Sequence, residues 1–208
     1  MVVIAGHNGA GKSTCYEEYL REALSPYLER HIDPDAIERE IRSDWPDPPL
    51  SDEAFSIQAA KEATRRREQY VQDGIAFSME TVLSDPFGDK LRFLKDAVSR
   101  GYYVILLAVG LDSAERSQER VLLRVSRRGH NVKPEKIQER YPRVLRNFSR
   151  AVGLVSAALI VDNSVDNPDE AGGAYFAFAR FTEGKLQETA EPIPSWWLDN
   201  FHRTDGPG

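Results

Sequence analysis

Apolar and polar positions follow two rhythms along the 208-residue chain. Met1 to Ala5, "IAFSMETVLSD", "YYVILLAVG" and "LVSAALIVDNS" are short apolar runs of strand length, and "YLERHIDPD" reads as a further short strand ending at an acidic turn. Between them, Ser13 to Leu24, "AIEREIRSD", Glu53 to Asp73 and Pro86 to Arg100 carry apolar residues at helical spacing. "WPDPPLSD" breaks the pattern before Ser51 or Asp52 as a helix N-cap, and Gly74 and Gly101 stop the two longer helices. Two arginine-rich helices joined by "RGHNVKP" precede the last strand of the series. Strand and helix alternating in this way predict an α/β fold, a three-layer α/β/α arrangement around a five-stranded, mainly parallel sheet. "YYVILLAVG" is its doubly covered central strand. Beyond Ser164 the rhythm changes: "AYFAFARFTEGKLQETA" alternates on both sides of "EGK" and predicts a C-terminal β-hairpin, whose place relative to the sheet the sequence leaves open. "IPSWWLDNFHRTDGPG" reads as a loose tail pinned to the surface by Trp196 and Trp197. The expected organisation is one domain over 1–190, with the hairpin at about 174–190, and a tail over 191–208.

Composition narrows this picture. With 41% hydrophobic residues the chain supports one sizeable core. No basic leader precedes an apolar segment, no apolar run approaches the roughly 18 residues of a membrane span, and the single cysteine, Cys15, has no internal partner. A soluble cytoplasmic protein without a membrane partner is expected. A net charge of −6 argues against broad nucleic-acid binding. The local distribution changes the reading: Arg116 to Arg150 holds nine arginines and two lysines against three glutamates. Arg116, Arg120, Arg124 and Arg128 recur every four residues and share one helical stripe, and Arg140, Arg143, Arg146 and Arg150 form a second row. Rows of like charge repel, so they fit either a solvated face or an anionic partner.

Candidate chemistry begins at "GHNGAGKS". Gly6, His7, Asn8, Gly9, Ala10, Gly11, Lys12 and Ser13 match the spacing of a phosphate-cradling P-loop, with a strand before it and a helix after. Glycines let main-chain N–H groups turn toward an anion, Lys12 reaches the β/γ-phosphates, the Ser13 hydroxyl holds Mg²⁺, and Thr14 lies near the α-phosphate. ATP with Mg²⁺ is the expected cofactor. Ligands of a parallel sheet sit beyond the carboxyl ends of its strands, which draws attention to Asp33 and Asp35 after the second strand and Glu80 after the third. Asp35 is a candidate base for accepting a hydroxyl proton, while either aspartate also suits the cap of "AIEREI". Glu80 suits acceptor positioning, a water-mediated Mg²⁺ contact, or a simple cap or ion pair. The late arginines suit phosphate contacts on a lid of about 114–150 hinged at "RRGHNV". His7, His31, His130 and His202 show no metal-ligand spacing.

"AGHNGAGKST", "DPDAI", "SMETVLS", "RVLLRVSRRGHNVKPEKIQERYPRVLRNF" and "IVDNS", in this order over about 1–165, resemble the zeta-toxin family of P-loop kinases. The resemblance implies a P-loop kinase-like fold that transfers the γ-phosphate of ATP to a hydroxyl of a nucleotide sugar, UDP-N-acetylglucosamine, and a possible separate antitoxin. It implies that Lys12 and Ser13 are the P-loop lysine and metal-binding hydroxyl, Asp35 the base, and Glu80, followed by Thr81, the acidic residue that orients the acceptor. Arg120 and Arg124 sit where the family contacts phosphate, Arg128 and His130 lie in the lid, and Asn163 lies near the adenine side. His7 stands where many members have proline, Val82 where the acceptor loop has threonine, and Arg128 and Lys133 where the lid has glycine and proline. These departures bear on the identity of the sugar nucleotide, and an antibiotic or polynucleotide kinase, or an ATP-binding interaction protein without transfer, stays open as the alternative.

Overall fold

The computed structural model describes residues 1–25, 27–28, 30–44, 51–126, 132–165 and 175–201. Seven strands form one sheet: β1 (Val2–Gly6), β2 (His31–Ile32), β3 (Ser78–Thr81), β4 (Ile105–Gly110), β5 (Ala157–Asp162), β6 (Phe176–Thr182) and β7 (Lys185–Thr189), in the order β2-β3-β1-β4-β5-β6-β7. The first five are parallel, as the alternation with helices requires. The hairpin, left unplaced by the sequence, extends this sheet: β6 runs antiparallel to β5, and β7 antiparallel to β6. Its turn, Glu183 and Gly184, has positive φ at both residues (49° and 73°), the geometry that matches the twist of a two-residue hairpin.

Strand alternation separates two apolar layers. Val3, Ala5, Leu106, Ala108, Ala158 and Ile160 face a large core filled from α3 (Pro34–Ser43), α4 (Asp52–Gln72), α5 (Asp89–Ser99) and α7 (Pro134–Val152). Val2, Ile4, Leu107, Val109 and Val161 face a smaller one beneath the first helical segment. That segment is not a uniform helix: α1 (Lys12–Cys15) passes into a π-helical turn (Tyr16–Leu20) and then α2 (Arg21–Leu24). α6 (Ala114–Ser126) packs with α7 at the carboxyl edge of the sheet.

The segment read as a loose tail differs from that expectation as far as Phe201. Its short helix α8 (Ser195–Leu198) buries Trp196 and Trp197, 4% and 8% exposed, in the larger core, where both rings pack edge-on against Phe178 of β6. Trp196 also covers Gly110, where any side chain would collide with the indole, and its Nε1 donates to Asp162 Oδ1 at 2.8 Å. The tail therefore closes the core rather than resting on its surface.

Candidate active site

β1 has β3 on one side and β4 on the other, so connections leave its carboxyl end in opposite directions and open a crevice there. The loop from His7 to Gly11 fills that position. Gly9 and Gly11 have φ of 73° and 84°, in the left-handed region that costs a residue with a side chain about 1–2 kcal/mol. A Cβ on Gly11 would also stand 2.5 Å from Tyr175 Oη. The loop's carbonyls are held from outside: Ser117 Oγ donates to Asn8 O (2.6 Å), Asn163 Nδ2 to Ala10 O (2.9 Å) and Tyr175 Oη to Gly11 O (2.7 Å). Ala10 N–H donates to His7 O at 3.2 Å within the loop, and α1 follows Gly11, its N-cap, with no side-chain hydrogen bond to its first turn.

Lys12 Nζ donates to His7 O at 3.0 Å. Burial draws its ammonium below the usual lysine range, against the pull of Glu80 and Asp35. His7 is 2% exposed and stacks on Tyr141 of α7 with centroids 4.5 Å apart. Burial, aided by Lys12, pushes its pKa down to about 3, so the ring is neutral.

Asp33 and Asp35 separate cleanly. Asp33 caps α3, accepting from the main-chain N–H groups of Asp35 (2.9 Å) and Ala36 (3.1 Å), with Pro34 at the first helical position. Burial and then Glu80 raise its pKa. Asp35 is thereby released from capping, and its Oδ2 accepts from Arg124 Nη1 of α6 at 3.1 Å. Glu80, buried at the end of β3, accepts through Oε2 from Ser13 Oγ at 2.8 Å. A hydroxyl and a carboxylate brought together on the P-loop lysine's side form the hard-oxygen pair that suits Mg²⁺, an ion that keeps several waters and shares phosphate oxygens. These residues fit the metal.

Not every expected contact is of the expected kind. Thr81 is buried within the sheet, and Asn163 is fully buried under the loop, where its amide supports Ala10 rather than lining open space. Thr14 lies half-exposed on α1. Arg120 packs its Cβ side toward Gly9, where a methyl group would approach it at 3.0 Å. Arg116 pairs with Asp112 of the loop before α6 (2.8 Å) and Arg143 with Glu139 one turn back in α7 (3.2 Å), so parts of both arginine rows are balanced locally. Arg128 and His130 lie outside the described residues.

The loop after β3 is held by groups the sequence did not single out. Lys90 Nζ donates to Val82 O at 2.5 Å, and Asn147 Nδ2 to Leu83 O (2.9 Å) and Asp85 O (3.3 Å). Burial, then Arg67, pushes the Lys90 ammonium down to about 8. Arg67, stacked 4.8 Å over Phe93, and Arg140 are both lowered by burial. Cations thus crowd this side of the crevice. Of the supporting residues overlooked in the sequence, Ser117 had a signal, a polar residue one turn before Val121 on the buried stripe of α6. Tyr175 and Asn147 had none, because their partners are 164 and 64 residues away.

The profile of the zeta-toxin family (Zeta toxin) matches residues 1–170, and the chain belongs to that family. An uncharacterized protein of Haemophilus influenzae is 29% identical over 140 residues, covering 67% of this chain and 91% of that protein. Among solved structures, the AvrRxo1-ORF1:AvrRxo1-ORF2 complex with sulphate ions is similar with a TM-score of 0.59 and 15% identity, over 96% of this chain and 62% of that one. The same complex with ATP gives 0.57 and 16%, over 90% of this chain and 59% of that one. The PezAT chromosomal toxin-antitoxin system of Streptococcus pneumoniae gives 0.53 and 15%, over 77% and 66%. The chain thus spans about 62% of the length of the first of these structures. These likenesses share the fold, a P-loop kinase-like α/β/α sandwich. Among the described residues no helix is long and apolar enough to cross a membrane.

Proposed function

We propose that this protein is an ATP- and Mg²⁺-dependent kinase that transfers the γ-phosphate to a hydroxyl of a nucleotide sugar of the UDP-N-acetylglucosamine kind. The observation that carries the reading is the meeting of Lys12, the Ser13–Glu80 pair and the Asp35–Arg124 pair at the carboxyl ends of three adjacent strands. Membership of the zeta-toxin family supports the kinase reading. The ATP complex of AvrRxo1-ORF1:-ORF2 supports the nucleotide. The cations around the loop after β3 support an acceptor that carries phosphate.

In this reading the loop amides and Lys12 would hold the β- and γ-phosphates, and Ser13 and Glu80 would hold the metal ion. When bound, Mg²⁺ neutralises charge on the phosphate oxygens. The acceptor oxygen forms a bond to the γ-phosphorus as the bond from that phosphorus to the β–γ bridging oxygen breaks, and ADP leaves. The acceptor proton passes to the Asp35 carboxylate, while Arg124 and Arg120 stabilise the charge on the transferring group. Arg128 and His130 belong to the lid in this reading, and the hairpin and α8 belong to the same domain as the P-loop. A separate antitoxin is part of the proposal, supported by the toxin-antitoxin system of Streptococcus pneumoniae.

Labelled ATP, Mg²⁺ and a panel of UDP-sugars test it. Wild type is expected to label at least one of them, and Asp35→Asn to lower kcat by about 10²–10⁴-fold with ATP affinity unchanged. Label on no acceptor, or an Asp35→Asn rate equal to wild type, would remove the reading.

A further inference from the structure

Beside the Ser13–Glu80 pair, the ring of His31 on the edge strand β2 is held on three sides. One face lies against Tyr16, with centroids 3.6 Å apart and planes 6° from parallel. Nδ1 stands 2.8 Å from Ser78 Oγ on the neighbouring strand. Nε2 is buried without a hydrogen-bond partner and points at Glu80 Oε1, 3.5 Å away. The other oxygen of Glu80 is the one that accepts from Ser13.

The hydroxyl of Ser78 has one hydrogen and two acceptors in range, Nδ1 at 2.8 Å and Arg30 O at 3.5 Å. With the Ser78 hydroxyl donating along the shorter contact, Nδ1 of a neutral ring accepts and the proton sits on Nε2, facing the carboxylate, and that is the tautomer the inference below uses. A buried ring nitrogen a few tenths of an ångström beyond hydrogen-bond range of a carboxylate, and without another partner among the described residues, is an uncommon arrangement. A small rotation of Glu80 would complete the bond. Tyr16, which sets the plane of the ring, opens the π-helical turn Tyr16–Leu20, and such widened turns recur at functional sites. Strand pairing does not call for any of this: β2 pairs with β3 through only His31 and Ile32, and through their main chains.

We infer that His31 is a positioning residue for Glu80. Its Nε2–H holds Oε1, and Oε2 stays turned toward Ser13 and the metal ion the two would share. Tyr16 and Ser78 fix the ring in the plane and tautomer this needs. The inference rests on the reading of Ser13 and Glu80 as the metal side of a kinase, and it concerns metal affinity rather than transfer.

Mn²⁺ as the probe, followed by electron paramagnetic resonance in the presence of ADP, tests it without an acceptor. His31→Ala is expected to weaken Mn²⁺ binding to the ADP complex by about 10-fold or more, the range typical of groups that orient metal ligands. Its affinity for ADP without metal is expected to stay within about 2-fold of wild type. His31→Gln, whose amide N–H reaches the place of Nε2, is expected to restore most of the loss. Unchanged Mn²⁺ affinity in His31→Ala overturns the inference. So does a parallel loss of metal-free ADP binding, which marks a structural role, or a His31→Gln variant no better than His31→Ala. A normal Mn²⁺ response without phosphorylation of any UDP-sugar would count against the proposed transfer alone. Transfer with no Mn²⁺ response would remove the role of His31 alone.

Discussion

Two loops leave neighbouring parallel strands at the carboxyl edge of the sheet, and both are tethered through their carbonyls. The loop after β1 is tied by Ser117, Asn163 and Tyr175, neutral side chains from three distant places, and by its own Lys12. It depends on two left-handed glycines, and in the proposed reading it offers main-chain N–H groups to phosphate. The loop after β3 has no glycine between Val82 and Asp85; it is shaped by Lys90 from α5 and Asn147 from α7. Leu83 and Ser84 of this loop are buried, so the side chains that hold it come from the helices around it. The donor side is therefore built from groups every residue possesses, and a short glycine pattern specifies it. In the proposed reading the second loop is the acceptor side, held by side chains that can be exchanged one by one, and substrate preference can diverge there while the donor site stays fixed.

The largest effect should come from placing a side chain on the first loop. Gly11→Ala combines left-handed strain with displacement of Tyr175, a cost of about 2–3 kcal/mol in unfolding free energy by urea titration. It should raise the KM for ATP at least about 10-fold and leave the KM of the phosphorylated UDP-sugar near wild type. Asn147→Leu makes the converse test. It leaves two carbonyls of the second loop without their donor, for about 2 kcal/mol, and should raise the acceptor KM while that for ATP holds. If both variants move the same KM, the division between the loops is wrong.

A smaller, pH-dependent effect isolates His7. Its folded pKa, about 3, lies below the ordinary value of 6.5, so the unfolded chain takes up a proton first as pH falls. Stability attributable to His7 is full above pH 6.5 and is lost by about 1.4 kcal/mol per pH unit below it, until the folded ring protonates near 3. Between pH 7 and 5.5 the urea midpoint of wild type should fall more than that of His7→Phe, which keeps a ring against Tyr141. Equal slopes would mean that the ring is not shut away from water.

Sequence reasoning reached the parallel sheet, its helices and the first loop because each is a local pattern: alternation within a strand, helical spacing, glycines at fixed intervals. It singled out Asp35 and Glu80 because strand ends are where a parallel sheet places ligands, and it left the roles of base and helix cap even. Only three-dimensional hydrogen bonding distinguishes them, since Pro34 lets either reading begin the helix. Asn163 was placed near the adenine side by resemblance, and the hydrogen bond from its amide to Ala10 O was not foreseen. The hairpin was legible as a hairpin, through its alternation and its "EGK" turn. Its seat beside β5 was not, because β6 pairs with a strand beyond a long intervening stretch and nothing local records which edge it will join. Trp196 and Trp197 were read as surface anchors for the same reason, as the Phe178 and Gly110 they cover belong to other segments.

The Tyr175 hydroxyl on Gly11 has a bearing on where this molecule can be cut. The family match stops at 170, five residues short of that tyrosine and well before the indole that seals Gly110. A fragment trimmed to the match would bare the whole flank of β5 and leave the triphosphate cradle slack on one side. The stretch by which relatives are recognised is thus smaller than the stretch that must stay joined for the nucleotide to find its seat.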